Sequence, residues 1–202
     1  WLLEPSYVDG NEYMLKPSIK WGVSEGNFIH MNELFGPVLA VIKANDLAHA
    51  VKIVNDTGYG LTSGIESLDE REVNYWKENL KAGNLYINRG TTGAVVLRQP
   101  FGGMGKSAIG AGRKVGIFNY ITQFVDFKEK SAPKVSKKYT NNLTNFIEKC
   151  KKSHENEDFN KLEIALQSYL ENYENEFSKA KDYAKVRGED NHFRYIPLKN
   201  VV

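Results

Sequence analysis

The sequence predicts an α/β fold with a mainly parallel sheet, and three observations carry that prediction. Within about 50 residues, from 38 to 88, the pattern runs strand, helix, strand, helix, strand, which is the pattern of a layered α/β domain. Nine of the 17 glycines then crowd into residues 83–116, directly after the third strand. Sixteen of the 17 lie before residue 131, and the remainder of the chain is rich in Lys, Glu and Asn with helical periodicity. A change of architecture is therefore expected near residues 131–133.

Taken in order, residues 1–37 read as an irregular opening. Residues 38–44 (VLAVIKA) form a continuous apolar run suited to a buried strand. Asp46 stands where a helix N-cap belongs, with Leu47, Ala50, Val51 and Val54 at helical spacing behind it, and Gly58 and Gly60 end that helix. Residues 61–66 give a second strand. Ser67 and Glu70 have the spacing of a capping box, and Val73, Trp76 and Leu80 form an apolar stripe that stops at Gly83. Residues 84–88 (NLYIN) are the third strand, so the glycine-rich stretch leaves the C-terminal end of a strand, where open α/β sheets place ligands.

Glycines bend backbone into special conformations and expose N–H groups, which suits the stretch to holding a small anionic or polar ligand. Residues 118–127 (FNYITQFVDF), bounded by Phe118 and Phe127, are aromatic and β-branched and predict a strand or an extended arm. In the tail, Leu143, Phe146, Ile147 and Cys150 mark one amphipathic helix. Leu162, Ala165, Leu166, Tyr169, Tyr173, Phe177 and Ala180 mark a longer one that Gly188 should close. From Phe193 onward the chain turns extended, as a first strand of a further domain would.

Composition excludes several classes. Residues 1–130 carry 14 basic and 14 acidic side chains and the remainder 13 and 11, so neither part is basic enough to argue for nucleic acid. A single cysteine rules out an internal disulfide framework and suits a reducing compartment. No apolar run approaches the roughly 20 residues of a membrane-spanning helix. The opening residues lack the basic start and apolar centre of a signal peptide, and without an initiator Met the sequence reads as a fragment.

Two nucleotide motifs fail on their own terms. Gly105-Lys106-Ser107 ends like a phosphate-binding P-loop, but Pro100 stands where the pattern needs glycine. Gly103, Gly105 and Ala108 satisfy a dinucleotide GxGxxA, yet Gly110 and Gly112 follow where a helix should begin. His30, His49, His154 and His192 are scattered without ligand partners at metal spacing, and Cys150 lies on an apolar helical stripe, so no metal site and no nucleophile is expected from them.

Asn32-Glu33-Leu34-Phe35-Gly36-Pro37 puts an acid, an aromatic and a Gly-Pro turn directly before a strand. ELFGPV, followed about 50 residues later by AGNLYINRGTTGAVVLRQPFGGMGKSA, resembles the C-terminal part of the catalytic region of NAD-dependent aldehyde dehydrogenases. Within these, TTGAVVLRQPFGG resembles the L-glutamate-γ-semialdehyde (1-pyrroline-5-carboxylate) dehydrogenases. The tail, with ALQSYLENYENEFSKAKDY and GEDNHFRYIPLKNVV, resembles the segment after that module in bifunctional proline utilization A proteins.

The resemblance implies a catalytic-domain βαβ layer plus β arm over residues 1–130, a helical connecting segment over 131–188, and the first strand of a truncated domain over 189–202. It implies that Glu33 holds the nicotinamide ribose hydroxyls of NAD and that Phe35 packs beside the nicotinamide ring. Gly93 and Ala94 match the loop whose backbone N–H groups receive the α-carboxylate of the substrate, and Phe101 the aromatic over its aliphatic chain. Asn32, Ala108 and Ile117 depart from the family pattern, the last two in the backbone path of the loop.

Family chemistry also needs a cysteine thiolate and a general-base glutamate, and the resemblance places the cysteine about 100 residues before Glu33, upstream of Trp1. The fragment alone is therefore expected to be inactive. The parent is expected to oxidise L-glutamate-γ-semialdehyde to L-glutamate with NAD in proline catabolism, in the cytoplasm or peripherally at the inner membrane. FAD would belong to a fused proline dehydrogenase and not to this segment. A homo-oligomer joined through residues 118–127 and burial against the missing NAD-binding half are the partners implied. The alternative is a catalytically silent aldehyde-dehydrogenase-like domain with a structural or assembly role.

Overall fold

A computed structural model describes residues 1–95, 98–110, 114–116, 118–128, 139–153 and 159–198 of the chain. It divides into two compact units, one of Trp1–Val96 with Pro100–Tyr120 and the other of Leu97–Gln99 with Ile121–Val202.

The first unit contains the α/β layer. Its heart is a βαβ unit in which β6 (Thr62–Ile65) pairs in parallel with β7 (Asn84–Ile87) through the crossover helix α3 (Glu70–Asn79). Helix α2 (Leu47–Asp56) packs on α3, and together they bury Val51, Trp76, Leu80 and Ala82, with Leu47, Ile65 and Leu85 against them. Two polar links tie the helices: Asn55 donates to the Asn79 carbonyl at 3.0 Å and accepts from the Lys81 N–H at 2.9 Å. Asp46 caps α2 as expected, accepting from the His49 N–H at 2.7 Å.

The other described strands of this unit form separate pairs. β1 (Tyr7–Val8) and β2 (Asn11–Leu15) make an antiparallel hairpin, and β3 (Ser18–Trp21) pairs in parallel with β4 (Val38–Val41) across the four-residue helix α1 (Phe28–Met31). β5 (Tyr59–Gly60) pairs antiparallel with β8 (Met104–Gly105), which folds the far end of the glycine-rich stretch back onto the layer.

In the second unit α4 (Asn141–Ser153) buries Ile147, and α5 (Asn160–Asn172) continues into a π-helical turn at Tyr173–Phe177. The Tyr139 hydroxyl donates to the Glu163 carbonyl at 2.7 Å, and Lys151 pairs with the Glu163 carboxylate. β9 (Lys181–Asp182) and β10 (His192–Phe193) pair antiparallel, and Phe193 and Phe177 both pack edge-on against Tyr195.

Several expectations need correction. The opening is not irregular: it holds β1, β2, β3 and α1, and the Asp9-Gly10 turn, with Gly10 at φ 74°, is the hairpin signal that goes unread in the sequence. The strand predicted at 38–44 is shorter and only half-buried, Leu39 being 56% exposed, because among the described residues it pairs with β3 alone. The cap of α3 is Asp69, which accepts from the Arg71 N–H at 2.9 Å; Ser67 instead donates its hydroxyl to Glu72 at 2.6 Å.

The arm predicted at 118–127 is a 3-10 helix over Phe118–Phe124. A strand has to pair with a sheet edge, and this segment satisfies its backbone locally instead. The long tail helix ends at the π-turn, well before Gly188, because β9 intervenes; Gly188 occupies a turn at φ 82°. The boundary expected at 131–133, His154, Ile117 and residues 199–202 lie outside the described residues.

Candidate functional site

The candidate residues fall in two segments of the first unit. Glu33 and Phe35 occupy the link between α1 and β4. Asn27 caps α1 by accepting from the Ile29 N–H at 3.2 Å, and at the other end Asn32 turns its side-chain amide back to the Phe28 carbonyl at 2.9 Å, so the chain leaves the helix abruptly. On the far side, the Pro37 carbonyl accepts from the Ser18 N–H at 2.8 Å, which fastens the link to β3. Held at both ends, the link puts Phe35 in the left-handed region at φ 49°, with the residue 93% exposed. A bulky aromatic in that conformation is strained, and such strain is retained where surroundings dictate it and clusters at functional sites. Beside it lies an open groove of about 480 Å³ lined by Glu33, Phe35, Asn32, Ile29 and Val38 among others. The carboxylate of Glu33 is exposed at its rim.

Gly93, Ala94 and Phe101 belong to the glycine-rich stretch after β7. Asn88 closes that strand at φ 54°, accepting from the Ser67 N–H and donating to the Ser67 carbonyl, both at 2.9 Å. Arg89 stacks its guanidinium 5.0 Å from the Tyr86 ring centroid and reaches the Thr92 carbonyl at 3.4 Å. The chain then runs exposed through Gly93, at φ 83°, and Ala94. Added Cβ atoms at Gly90 and Gly93 would meet nothing within 4 Å, so the approach to this backbone is open. Phe101 is half-buried and pairs with Val115 through reciprocal backbone bonds of 2.9 Å.

Below the loop sits a polar cluster that sequence reasoning missed. Asn84 is buried, donating to the Pro100 carbonyl at 3.0 Å and accepting from the Gly102 N–H at 3.1 Å. The Lys114 ammonium donates to the carbonyls of Gly83 and Gly102, the latter at 3.1 Å, and lies 3.4 Å from the Asn84 side-chain oxygen. Burial lowers its pKa to about 8. Gly83 has to be glycine here, since any Cβ would be driven into the Gly102 carbonyl. One lysine among many in a Lys-rich chain offers no sequence signal for such a role.

The Gly105-Lys106-Ser107 segment is occupied structurally. The Lys106 ammonium donates to the Thr57 carbonyl at 2.8 Å and sits 5.0 Å from the Tyr59 ring centroid, while the Ser107 hydroxyl accepts from the Gly60 N–H at 3.1 Å. Its side chains pin β8 to β5 and are not presented to a phosphate, and Ala108 closes a turn on Gly105 where a dinucleotide motif would begin its helix. His30 and His49 are likewise engaged, His30 with the Ile53 carbonyl at 2.9 Å and His49 with Glu25 at 2.6 Å. Gly93, Ala94 and Phe101 thus stand on the glycine-rich stretch after β7, and Glu33 and Phe35 on the link between α1 and β4.

Among known proteins, residues 4–129 match the model of a family described as the aldehyde dehydrogenase family. A 1-pyrroline-5-carboxylate dehydrogenase of Bacillus subtilis (strain 168) is 38% identical over 123 residues, which is 61% of this chain and 24% of that protein. The structure of proline utilization A from Corynebacterium freiburgense superposes with a TM-score of 0.81 at 40% identity, covering 98% of this chain and 20% of that one. A 1-pyrroline-5-carboxylate dehydrogenase from Thermus with bound NAD gives 0.56 at 37% identity over 60% of this chain and 23% of its own. The chain spans about a quarter of the length of the curated relatives it matches.

Proposed function

Because the chain belongs to the aldehyde dehydrogenase family, we propose that it supplies the substrate-carboxylate loop and the nicotinamide-ribose contacts of an enzyme that oxidises L-glutamate-γ-semialdehyde to L-glutamate with NAD. The observation that carries this reading is the loop after β7. It presents Gly93, unobstructed and in the left-handed conformation, with the exposed Ala94 beside it, in a chain whose matched relatives bear the name 1-pyrroline-5-carboxylate dehydrogenase.

In this reading the N–H groups of Gly93 and Ala94 take the α-carboxylate. Charge-assisted hydrogen bonds contribute about 1.5–3 kcal/mol each, so two of them separate this substrate from uncharged aldehydes by at least a hundredfold. Phe101, fixed through its pairing with Val115, covers the aliphatic chain. The exposed Glu33 carboxylate accepts from the two ribose hydroxyls, and the exposed ring of Phe35 stands beside the nicotinamide. A nicotinamide cofactor bound there supplies the hydride acceptor. Cys150 is half-buried on the apolar stripe of α4 with Ile147, so it is read as a packing residue and not as the attacking thiolate.

The second unit supports placing this chain in a bifunctional protein with a fused FAD-dependent proline dehydrogenase. The curated dehydrogenase relative covers 61% of the chain, whereas the proline utilization A structure covers 98% of it, tail included. The corresponding division is a catalytic part over 1–130, a helical connection over 131–188 and a further domain beginning near 189. The flavin would be held elsewhere in that protein. Among the described residues no helix is long and apolar enough to cross a membrane. A reducing compartment such as the cytoplasm suits the single cysteine. Ile121, Phe124 and Phe127 are 63%, 69% and 80% exposed, which favours residues 118–127 as a contact between copies.

Glu33→Gln tests the cofactor side. In the complete gene product it should raise KM for NAD about tenfold, the equivalent of 1.4 kcal/mol, and leave KM for the aldehyde within about twofold. An unchanged KM for NAD would remove Glu33 from the cofactor site.

A further inference from the structure

We propose that Lys114 and Asn84 are positioning residues that clamp the exit of the substrate loop, so that the backbone of Gly93 and Ala94 is held ready for a carboxylate. This rests on the reading of that loop as the carboxylate anchor.

The described residues of the loop, 89–95 and 98–99, lie between two hydrogen-bonded ends. Its entrance is secured by Asn88, which makes both possible bonds to the backbone of Ser67. Its exit is secured by the buried cluster: Asn84 grips Pro100 and Gly102, and Lys114 ties Gly102 to Gly83 at the root of β7. The Lys114 stem also lies against Gly102, where an added Cβ would come within 3.2 Å of both its Cα and its Cγ. The neighbouring Val115 pairs with Phe101, so residues 100–102 are strapped to 114–115 by side chain and backbone together.

The chemistry calls for lysine. Three oxygen atoms converge on one point, those of Gly83, Gly102 and the Asn84 side chain, and an ammonium presents three rotatable N–H donors on a compact centre. A planar guanidinium cannot meet that arrangement, and an apolar residue leaves the carbonyls without a donor. Among the described residues of the loop, Gly90 and Gly93 face open space, while Arg89 reaches the Thr92 carbonyl and the Thr91 methyl lies beside Gly64, so the two fixed ends act together with these contacts in setting the backbone. Fixing both ends removes conformations that the loop would otherwise lose on binding.

The test compares Lys114→Met and Asn84→Asp with wild type in the complete gene product, by hydrogen exchange of the amides of residues 89–99 and by steady-state kinetics. Lys114→Met should speed exchange of those amides at least tenfold and raise KM for glutamate semialdehyde about tenfold, while kcat for propanal, which has no carboxylate to anchor, stays within twofold. Asn84→Asp turns the donor that faces the Pro100 carbonyl into an acceptor, which ends that bond, while its other oxygen stays beside the Lys114 ammonium; it should move both readouts the same way by less, and it decides the matter if Lys114→Met does not fold. Unchanged exchange and unchanged KM would overturn the clamp. Faster exchange in a protein whose wild type reduces no NAD with any aldehyde would uphold the clamp and remove the anchor reading instead.

Discussion

Trp76→Ala is expected to destabilise the first unit by about 3–5 kcal/mol, a large share of the 5–15 kcal/mol that holds a typical domain. Trp76 is 4% exposed and joins Val51, Leu80 and Ala82, so its removal opens a cavity between the two helices and the β6–β7 pair. The helices are further joined by polar bonds through Asn55, which keep the surrounding backbone from collapsing into the space. Thermal melting of the complete gene product, followed by circular dichroism, should show the loss, with Trp76→Phe losing much less. A Trp76→Ala melt within about one degree of wild type would mean that this cluster is not the core of the unit.

Gly93→Val should produce the largest change in specificity. Valine at φ 83° is strained, and its branches fill the open space before the Gly93 and Ala94 N–H groups. The kcat/KM for glutamate semialdehyde is expected to fall by on the order of a hundredfold or more, the worth of two charge-assisted hydrogen bonds, with propanal changed by less than about threefold. Equal losses for both aldehydes would show that the loop supports catalysis in general and not the recognition of a carboxylate.

The elements legible in the sequence are those set by local rules. Asp46 and the stripe behind it mark α2 because cap and periodicity agree, and residues 61–88 mark the βαβ unit because a helical stripe ending in Trp76 and Leu80 stands between two short strand patterns. Where two local signals compete, the surrounding bonds decide: Ser67 and Asp69 both suit the start of α3, but the backbone of Ser67 is held by Asn88 and its hydroxyl by Glu72. The β1–β2 hairpin is hard to read because every residue of β2 is exposed and no hydrophobic alternation marks it. The apolar run at 118–127 reads as a strand by propensity, but a strand also needs a neighbouring edge, which no local pattern encodes.

The same division holds for the candidate site. Gly93 announces itself through composition, because a crowd of glycines signals backbone in unusual conformations. Lys114 does not, because its role depends on a carbonyl 31 positions earlier, that of Gly83, which only the fold brings to its ammonium. Phe35 is intermediate: its motif marks the place, while its left-handed backbone and exposure emerge only from the fold.

NAD reduction by the complete gene product, with glutamate semialdehyde compared against propanal and succinate semialdehyde, puts the proposed function to its plainest test. NADH formation is predicted, with a preference for glutamate semialdehyde over propanal of at least about a hundredfold in kcat/KM. A folded protein that forms no NADH from any of the three would contradict this reading, and would favour instead a catalytically silent member of the family with a role in assembly.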